Sequence, residues 1–241
     1  MIIKGLVKLS LIDYPPRPSA VIFTAGCNFR CPFCHNPELV LTSEKVEEIS
    51  REYVFSYLKQ RAGLLDGVCV TGGEPTLHTD LPEFLRQIKA MGYAVKLDTN
   101  GTNPEMLAEL IRDNLVDYLA MDLKTALGAE YQSLSSGGTG IVETIIRSIK
   151  LLVTSGKEYE FRTTVVPSLH TKASLLTLAA QLKGVIEEFS GGKNLRWFLQ
   201  SFRPGTCLDP MFNTLTPFSD DQLQELQQEA ATLVPSVVLR S

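Results

Sequence analysis

Strand-length apolar runs and helical stretches alternate along this chain through six strands, and that order restricts the fold more than any other feature. The runs at residues 20–24, 68–71, 94–98, 116–122, 160–166 and 196–200 are short, apolar and bounded by turn formers. Between them, residues 44–61, 80–91, 104–113, 141–155 and 171–182 carry apolar side chains at helical spacing, as with Val46, Ile49, Tyr53, Val54, Tyr57 and Leu58. Strict alternation predicts a parallel sheet with crossover helices on its outer face. Right-handed crossovers leave two answers, a doubly wound sheet or a full or partial barrel, and periodicity does not separate them. At 241 residues, 44% hydrophobic and 21% charged, the chain has enough apolar material for one such core.

No repeat, low-complexity tract or composition break divides the chain. One domain over residues 1–241 is expected, with a core at about 18–200 and a helical extension at about 217–241. Residues 133–140 and 190–193 read as Gly- and Ser-rich surface turns. Residues 219–232 read as an amphipathic helix capped by Ser219, packed outside the barrel. The formal charge of −4 gives no general attraction for phosphate backbones, so a nucleic-acid partner is not expected. There is no apolar run of about 18 residues and no secretory leader, so no membrane association is expected and the expected compartment is cytoplasmic, where thiols stay reduced.

The chemistry-bearing residues cluster just past the strand ends. Cys27, Cys31 and Cys34 follow the first strand, Gly72, Gly73 and Glu74 the second, Asp98 and Thr99 the third, and Asp122 and Lys124 the fourth. In a parallel barrel all those ends lie on one rim, where active sites of such folds assemble. Three thiolates spaced C-x3-C-x2-C can hold three irons of a four-iron cluster and leave the fourth open for chemistry. His35 could instead complete a Cys3His zinc site, although it directly follows Cys34 and zinc ligands come in spaced pairs. A disulfide framework suits a small secreted domain, not a long chain with five cysteines. Gly72 and Gly73 allow a sharp turn and close backbone approach to a ligand, or a plain strand-to-helix turn; Asp98 and Asp122 could equally be helix caps.

The motif Cys27-x3-Cys31-x2-Cys34 resembles the signature of the radical S-adenosylmethionine (SAM) enzymes, and Cys34-His35-Asn36 resembles more narrowly the activases of glycyl radical enzymes. Residues 11–15 (LIDYP) and 36–40 (NPELV) are similar to activating components of anaerobic ribonucleotide reductase, with the likeness covering roughly residues 1–170. The resemblance implies an α/β fold, an incomplete (β/α)6 barrel open along one side. Its cofactors would be a [4Fe-4S] cluster on Cys27, Cys31 and Cys34, and SAM. It implies that Gly72, Gly73 and Glu74 border the methionine moiety of SAM and help hold its amino group. Asp98, Thr99 and Asp122 would lie beside the methionine carboxylate and could hold a monovalent cation, with Lys124 at the same polar end. His35 and Asn36 would approach the adenine, or His35 would orient the cluster loop by hydrogen bonding.

The remaining candidates are read from position. Phe29 and Phe33 are expected to shield the cluster, Cys69 to be a small buried hydrophobe, and Cys207 to sit in a loop without a spaced partner. His78 is expected to help start a helix, while His170, and similarly Arg162, stand where they could face the substrate. The implied reaction is one-electron cleavage of SAM to methionine and a 5'-deoxyadenosyl radical, which takes a hydrogen from a glycine of a partner enzyme. The implied partners are a glycyl radical enzyme, with anaerobic ribonucleoside-triphosphate reductase first and pyruvate formate-lyase next, and an electron donor such as flavodoxin or ferredoxin. The rivals are a radical enzyme acting on a small molecule or nucleic acid, and a structural zinc-binding module.

Overall fold

All six expected strands form, and two more flank them. β1 (Ile3–Ser10) runs antiparallel to β2 (Ser19–Thr24). β3 (Gly67–Gly72), β4 (Ala94–Thr99), β5 (Tyr118–Asp122), β6 (Glu158–Val165), β7 (Trp197–Ser201) and β8 (Val237–Arg240) follow in parallel, each beside its predecessor. The computed structural model describes residues 1–41, 46–134, 140–190 and 195–240. A spatial order equal to the chain order has no reversal point, which a doubly wound sheet requires. Right-handed crossovers then put the helices on one face and curl the sheet into a partial barrel, open between β1 and β8. The curl shows in ion pairs that skip a strand, Asp98 of β4 with Arg162 of β6 and Glu160 of β6 with Arg240 of β8, both at 3.0 Å. In a flat sheet such strands stand about 9.5 Å apart.

The helices α1 (Pro37–Val40), α2 (Arg51–Gln60), α3 (Leu81–Ala90), α4 (Pro104–Arg112), α5 (Ala129–Leu134), α6 (Ile141–Thr154), α7 (Lys172–Ser190) and α8 (Asp220–Ala231) fill the connections. The stretch expected to be helical from 44 begins only at Arg51, because Ser50 accepts a hydrogen bond from the Tyr53 amide and caps the helix there; residues 42–45 lie outside the described residues. α7 continues past the expected stop at 182, since Gly184 is carried within it and Ile186 extends the buried stripe of Leu175, Leu178 and Leu182. α8 forms as expected, with Ser219 and Gln222 making a reciprocal capping box. The expected turns at 133–140 and 190–193 fall largely on residues 135–139 and 191–194, outside the described residues.

Each strand divides its faces by chemistry. Val68, Val70, Val95, Leu97, Leu119, Met121 and Phe161 point outward into the helix-packed core. The alternate positions Lys96, Asp98, Tyr118, Asp122, Glu160 and Arg162 point inward, so the barrel interior is a ladder of charges, not the apolar filling usual in closed barrels. Tyr14 closes the end of the barrel away from the cysteines, its buried ring packing at 5.9 Å on Tyr118.

β8 has a specific task in this ladder. Glu160 is 3% exposed and accepts two bonds of 3.0 Å from Arg240 and one of 2.8 Å from the Tyr118 hydroxyl. Arg240→Ala removes two of the bonds that the buried Glu160 carboxylate accepts, an expected loss of about 2–3 kcal/mol given that Arg240 is partly exposed. Urea unfolding checks it, and Arg240→Met with Glu160→Gln should recover most of the loss.

Candidate active site

The cysteine loop is fixed at its root by backbone bonds before any cysteine is reached. The Gly26 amide donates to Leu39 O at 2.7 Å, the Gly73 amide to Thr24 O at 2.8 Å and the Glu74 amide to Gly26 O at 2.7 Å. His78 adds a bond of 2.9 Å between its Nε2 and Ala25 O, so it ties down the cluster loop, a larger role than starting a helix. This zipper is why glycines stand at 72 and 73. A Cβ on Gly73 would lie 2.0 Å from Gly26 O, and Gly72 has φ +119° with Thr24 backbone atoms 2.4 Å from any Cβ.

A cleft of about 200 Å³ opens at this rim, and Cys27, Cys31, Cys34, Asp98, Asp122 and Lys124 line it. Burial pushes the Cys31 thiol up to about 11 and raises Cys27 as well. Among the described residues no three His, Cys, Asp or Glu side chains gather closely enough to hold a single metal ion. The three cysteine thiols line this one cleft, a soft donor set that suits a cluster with one iron per thiolate. Phe29 and Phe33 are buried against the loop, Phe29 meeting Tyr131 edge-on at 6.1 Å. Asn100, which the sequence marks only as part of the polar run after β4, places its side-chain amide nitrogen 3.9 Å from Cys27 Sγ and 2.9 Å from Asn28 Oδ1. The Asn100-Gly101 pair reads only as a turn in the sequence.

Glu74 is fully buried, and the geometry gives it a positioning role. Its Oε1 accepts from the Thr76 amide at 3.1 Å, the Thr76 hydroxyl at 2.5 Å and the Thr99 hydroxyl at 2.8 Å, while Oε2 accepts from the Asn100 amide at 2.6 Å. The carboxylate thus stitches the end of β3 to the end of β4. Burial raises its pKa above the ordinary value, with the four donors opposing the rise.

Asp98 and Asp122 do meet across neighbouring strand ends, and protein cations sit between and around them. Arg162 donates from Nη1 to Asp98 at 3.0 Å and from Nε to Asp122 at 2.8 Å. Lys124 Nζ bonds Asp122 at 2.9 Å, and Lys96 Nζ pairs with Asp98 Oδ1 at 2.8 Å without hydrogen-bond alignment. Burial alone would raise both aspartates; Arg162 with Lys96 holds Asp98 below its ordinary value, and Arg162 with Lys124 holds Asp122 far below. Arg162 thus bridges the acidic pair on which the resemblance implies a monovalent cation.

His35 stacks on Phe202 at 5.8 Å with Asn36 beside it on the cleft wall, and burial together with Arg203 lowers its pKa. His170 does not face the cleft. Its Nδ1 accepts from the Val166 amide at 3.0 Å, so Nε2 carries the proton and donates to Lys124 O at 2.8 Å. That is a buried, neutral staple behind Lys124. Cys69 is buried as expected, on the lumen face near Lys96 and Asp98. Cys207 is buried too; the next amide, of Leu208, donates to Cys34 O at 3.0 Å and that of Asp209 to Pro32 O at 2.9 Å, fastening the cluster loop from the far end of the chain.

The pattern that defines the Radical SAM superfamily matches residues 21–173. A Methanocaldococcus jannaschii protein named "Putative glycyl-radical enzyme activating enzyme" is 34% identical over 246 residues, which cover 100% of this chain and 96% of that one. A Pyrococcus horikoshii protein named "Probable GTP 3',8-cyclase" is 31% identical over 148 residues, 58% of this chain and 45% of its own. Among solved structures, Streptococcus suis SuiB bound to precursor peptide SuiA superposes with a TM-score of 0.65 at 16% identity, over 92% of this chain and 48% of that one, a likeness of fold.

Proposed function

This chain belongs to the radical SAM superfamily, and on that premise we propose that it is the activase of a glycyl radical enzyme, acting as one unit over residues 1–241. Members of the family use a [4Fe-4S] cluster and SAM. When bound, that pair supplies an electron to the sulfonium and a 5'-deoxyadenosyl radical able to take a hydrogen atom from a glycine. The chain's own residues then have five tasks. Cys27, Cys31 and Cys34 hold three irons; Gly72, Gly73 and Glu74 set the loop against which the methionine end lies. Asp98, Thr99, Asp122 and Lys124 form its polar end, and His35 and Asn36 flank the adenine. Phe29 and Phe33 keep water from the cluster.

The observation that carries the activase reading is the end-to-end match to the M. jannaschii protein, which leaves almost nothing of either chain over, whereas the cyclase match stops at 58% of this one. The opening between β1 and β8 adds a physical reason, since an open side admits a peptide loop that a closed barrel excludes. Anaerobic ribonucleoside-triphosphate reductase is the partner favoured by residues 11–15 and 36–40, with flavodoxin or ferredoxin as donor and the cytoplasm as compartment. None of the described helices is long and apolar enough to cross a membrane.

The test is to incubate the reduced protein with SAM and each candidate glycyl enzyme of the same genome, then record electron paramagnetic resonance. A glycine radical on the reductase alone is expected. A radical on pyruvate formate-lyase alone moves the partner; SAM cleavage with no radical on any candidate replaces the activase reading with a small-molecule one. Zinc without iron or sulfide in anaerobic material removes the catalytic reading.

A further inference from the structure

The methionine end of the cleft poses an electrostatic problem that the chain solves internally. Two aspartates stand at adjacent strand ends, one nearly buried and one half-buried, with side chains 11% and 30% exposed. A ligand carboxylate beside them would add a third negative charge in a region of low dielectric. Something positive has to stand there. Arg162, 13% exposed and rooted on β6, reaches both carboxylates through two different nitrogens, and Lys96 and Lys124 flank it on the outer sides of the pair. The three cations pair with the two aspartates, so the counter-charge at this end is in place before a ligand arrives.

We propose that Arg162 is a built-in counterion that stands in the position of a monovalent cation, so that SAM binding by this chain is independent of potassium or sodium. A guanidinium fits this task because its planar fork holds two carboxylates at fixed angles and does not deprotonate. A metal ion between the same oxygens would have to displace it, and the displaced guanidinium, with β6 fixed between β5 and β7, would be left buried without its partners. The corollary is specific: deleting the guanidinium while keeping its stem, Arg162→Met, leaves two carboxylates facing a space that an alkali cation can fill. The variant becomes cation-dependent where the native chain is not.

This inference rests on the reading of the cleft as the SAM site, and its test separates the two. Cluster-loaded native protein, Arg162→Met and Arg162→Lys are titrated with SAM in potassium chloride and in choline chloride of equal ionic strength. In parallel, cluster-free samples are melted against potassium, and thallium-205 resonance reports monovalent binding directly. Native affinity is expected to differ by less than about twofold between the salts, with no change of melting temperature and no thallium binding. Arg162→Met is expected to bind SAM at least about tenfold more weakly in choline, to recover in potassium, and to gain melting temperature with potassium. Arg162→Lys keeps a charge and is expected to stay indifferent to potassium. Native protein that binds thallium, or whose SAM affinity rises severalfold with potassium, overturns the proposal. So does an Arg162→Met variant that loses affinity equally in both salts. If Arg162→Met does not fold, the native titrations and Arg162→Lys still decide. If native protein binds no SAM in either salt, the site reading fails while the cluster-free melts and thallium spectra still judge Arg162.

Discussion

Gly73→Ala is expected to yield protein that folds but holds its cluster about 10–100-fold more weakly, a loss seen as iron and sulfide per chain after anaerobic purification. The added Cβ would lie 2.0 Å from Gly26 O and 2.7 Å from Gly26 C, and both are backbone atoms that have no rotamer to retreat into. Relief requires the strand-end loop at 72–74 and the root of the cysteine loop to part, which breaks the bonds from Gly73 to Thr24 and from Glu74 to Gly26. Overpacking of this kind costs about 1–3 kcal/mol, so the fold survives. The cysteines suffer more, because Cys27 follows Gly26 directly and the spacing among the three thiolates must match a rigid cluster. Gly92→Ala is the control: its φ of +89° makes alanine strained by about 1–2 kcal/mol, yet nothing lies within 4 Å of the new Cβ, so cluster content should not change. Equal loss of iron in both variants would show that stability alone, not the zipper, governs loading.

The same zipper explains why the rim was legible in the sequence while its wiring was not. Cysteine spacing reports ligand chemistry directly, and the strand runs place every polar cluster at one end of a parallel sheet, so Cys27, Gly73, Asp98 and Asp122 could be assigned to one site without coordinates. The edge strands escaped because β8 has only four residues and β1 contains Gly5, which blurs its alternation. His170 was misplaced for a different reason. A histidine just past a strand end looks like a ligand group, and only the two backbone bonds to Val166 and Lys124 reveal it as a staple. Arg162 and Arg240 gain their roles from strands two apart meeting across the lumen, a consequence of sheet curvature that no local pattern encodes. The contact of the segment after Cys207 with the cysteine loop is likewise a product of closure.

Glu74→Ala is expected to weaken both stability and SAM binding, by about 2–4 kcal/mol in urea unfolding, because it strands two buried backbone donors. The amides of Thr76 and Asn100 each give their hydrogen to this carboxylate; the hydroxyls of Thr76 and Thr99 can turn to other acceptors, but the amides cannot. Release of Asn100 then propagates to the site, since its side chain holds Asn28 and approaches Cys27. Glu74→Gln should fall between alanine and native: an amide oxygen can serve the donors at Oε1, while its NH2 then opposes the Asn100 amide. A pH series separates charge from hydrogen bonding. Burial raises the folded pKa of Glu74 above its ordinary 4.5, so the folded state binds its proton more tightly than the unfolded state does. The stability tied to that proton is fully present below pH 4.5 and is lost as pH rises through the raised value. Native stability relative to Glu74→Gln should therefore decline as pH rises above 4.5, where the buried carboxyl must give up its proton. A difference that grows with pH would mean that the four donors outweigh burial and that Glu74 is held as a carboxylate by the loops it joins.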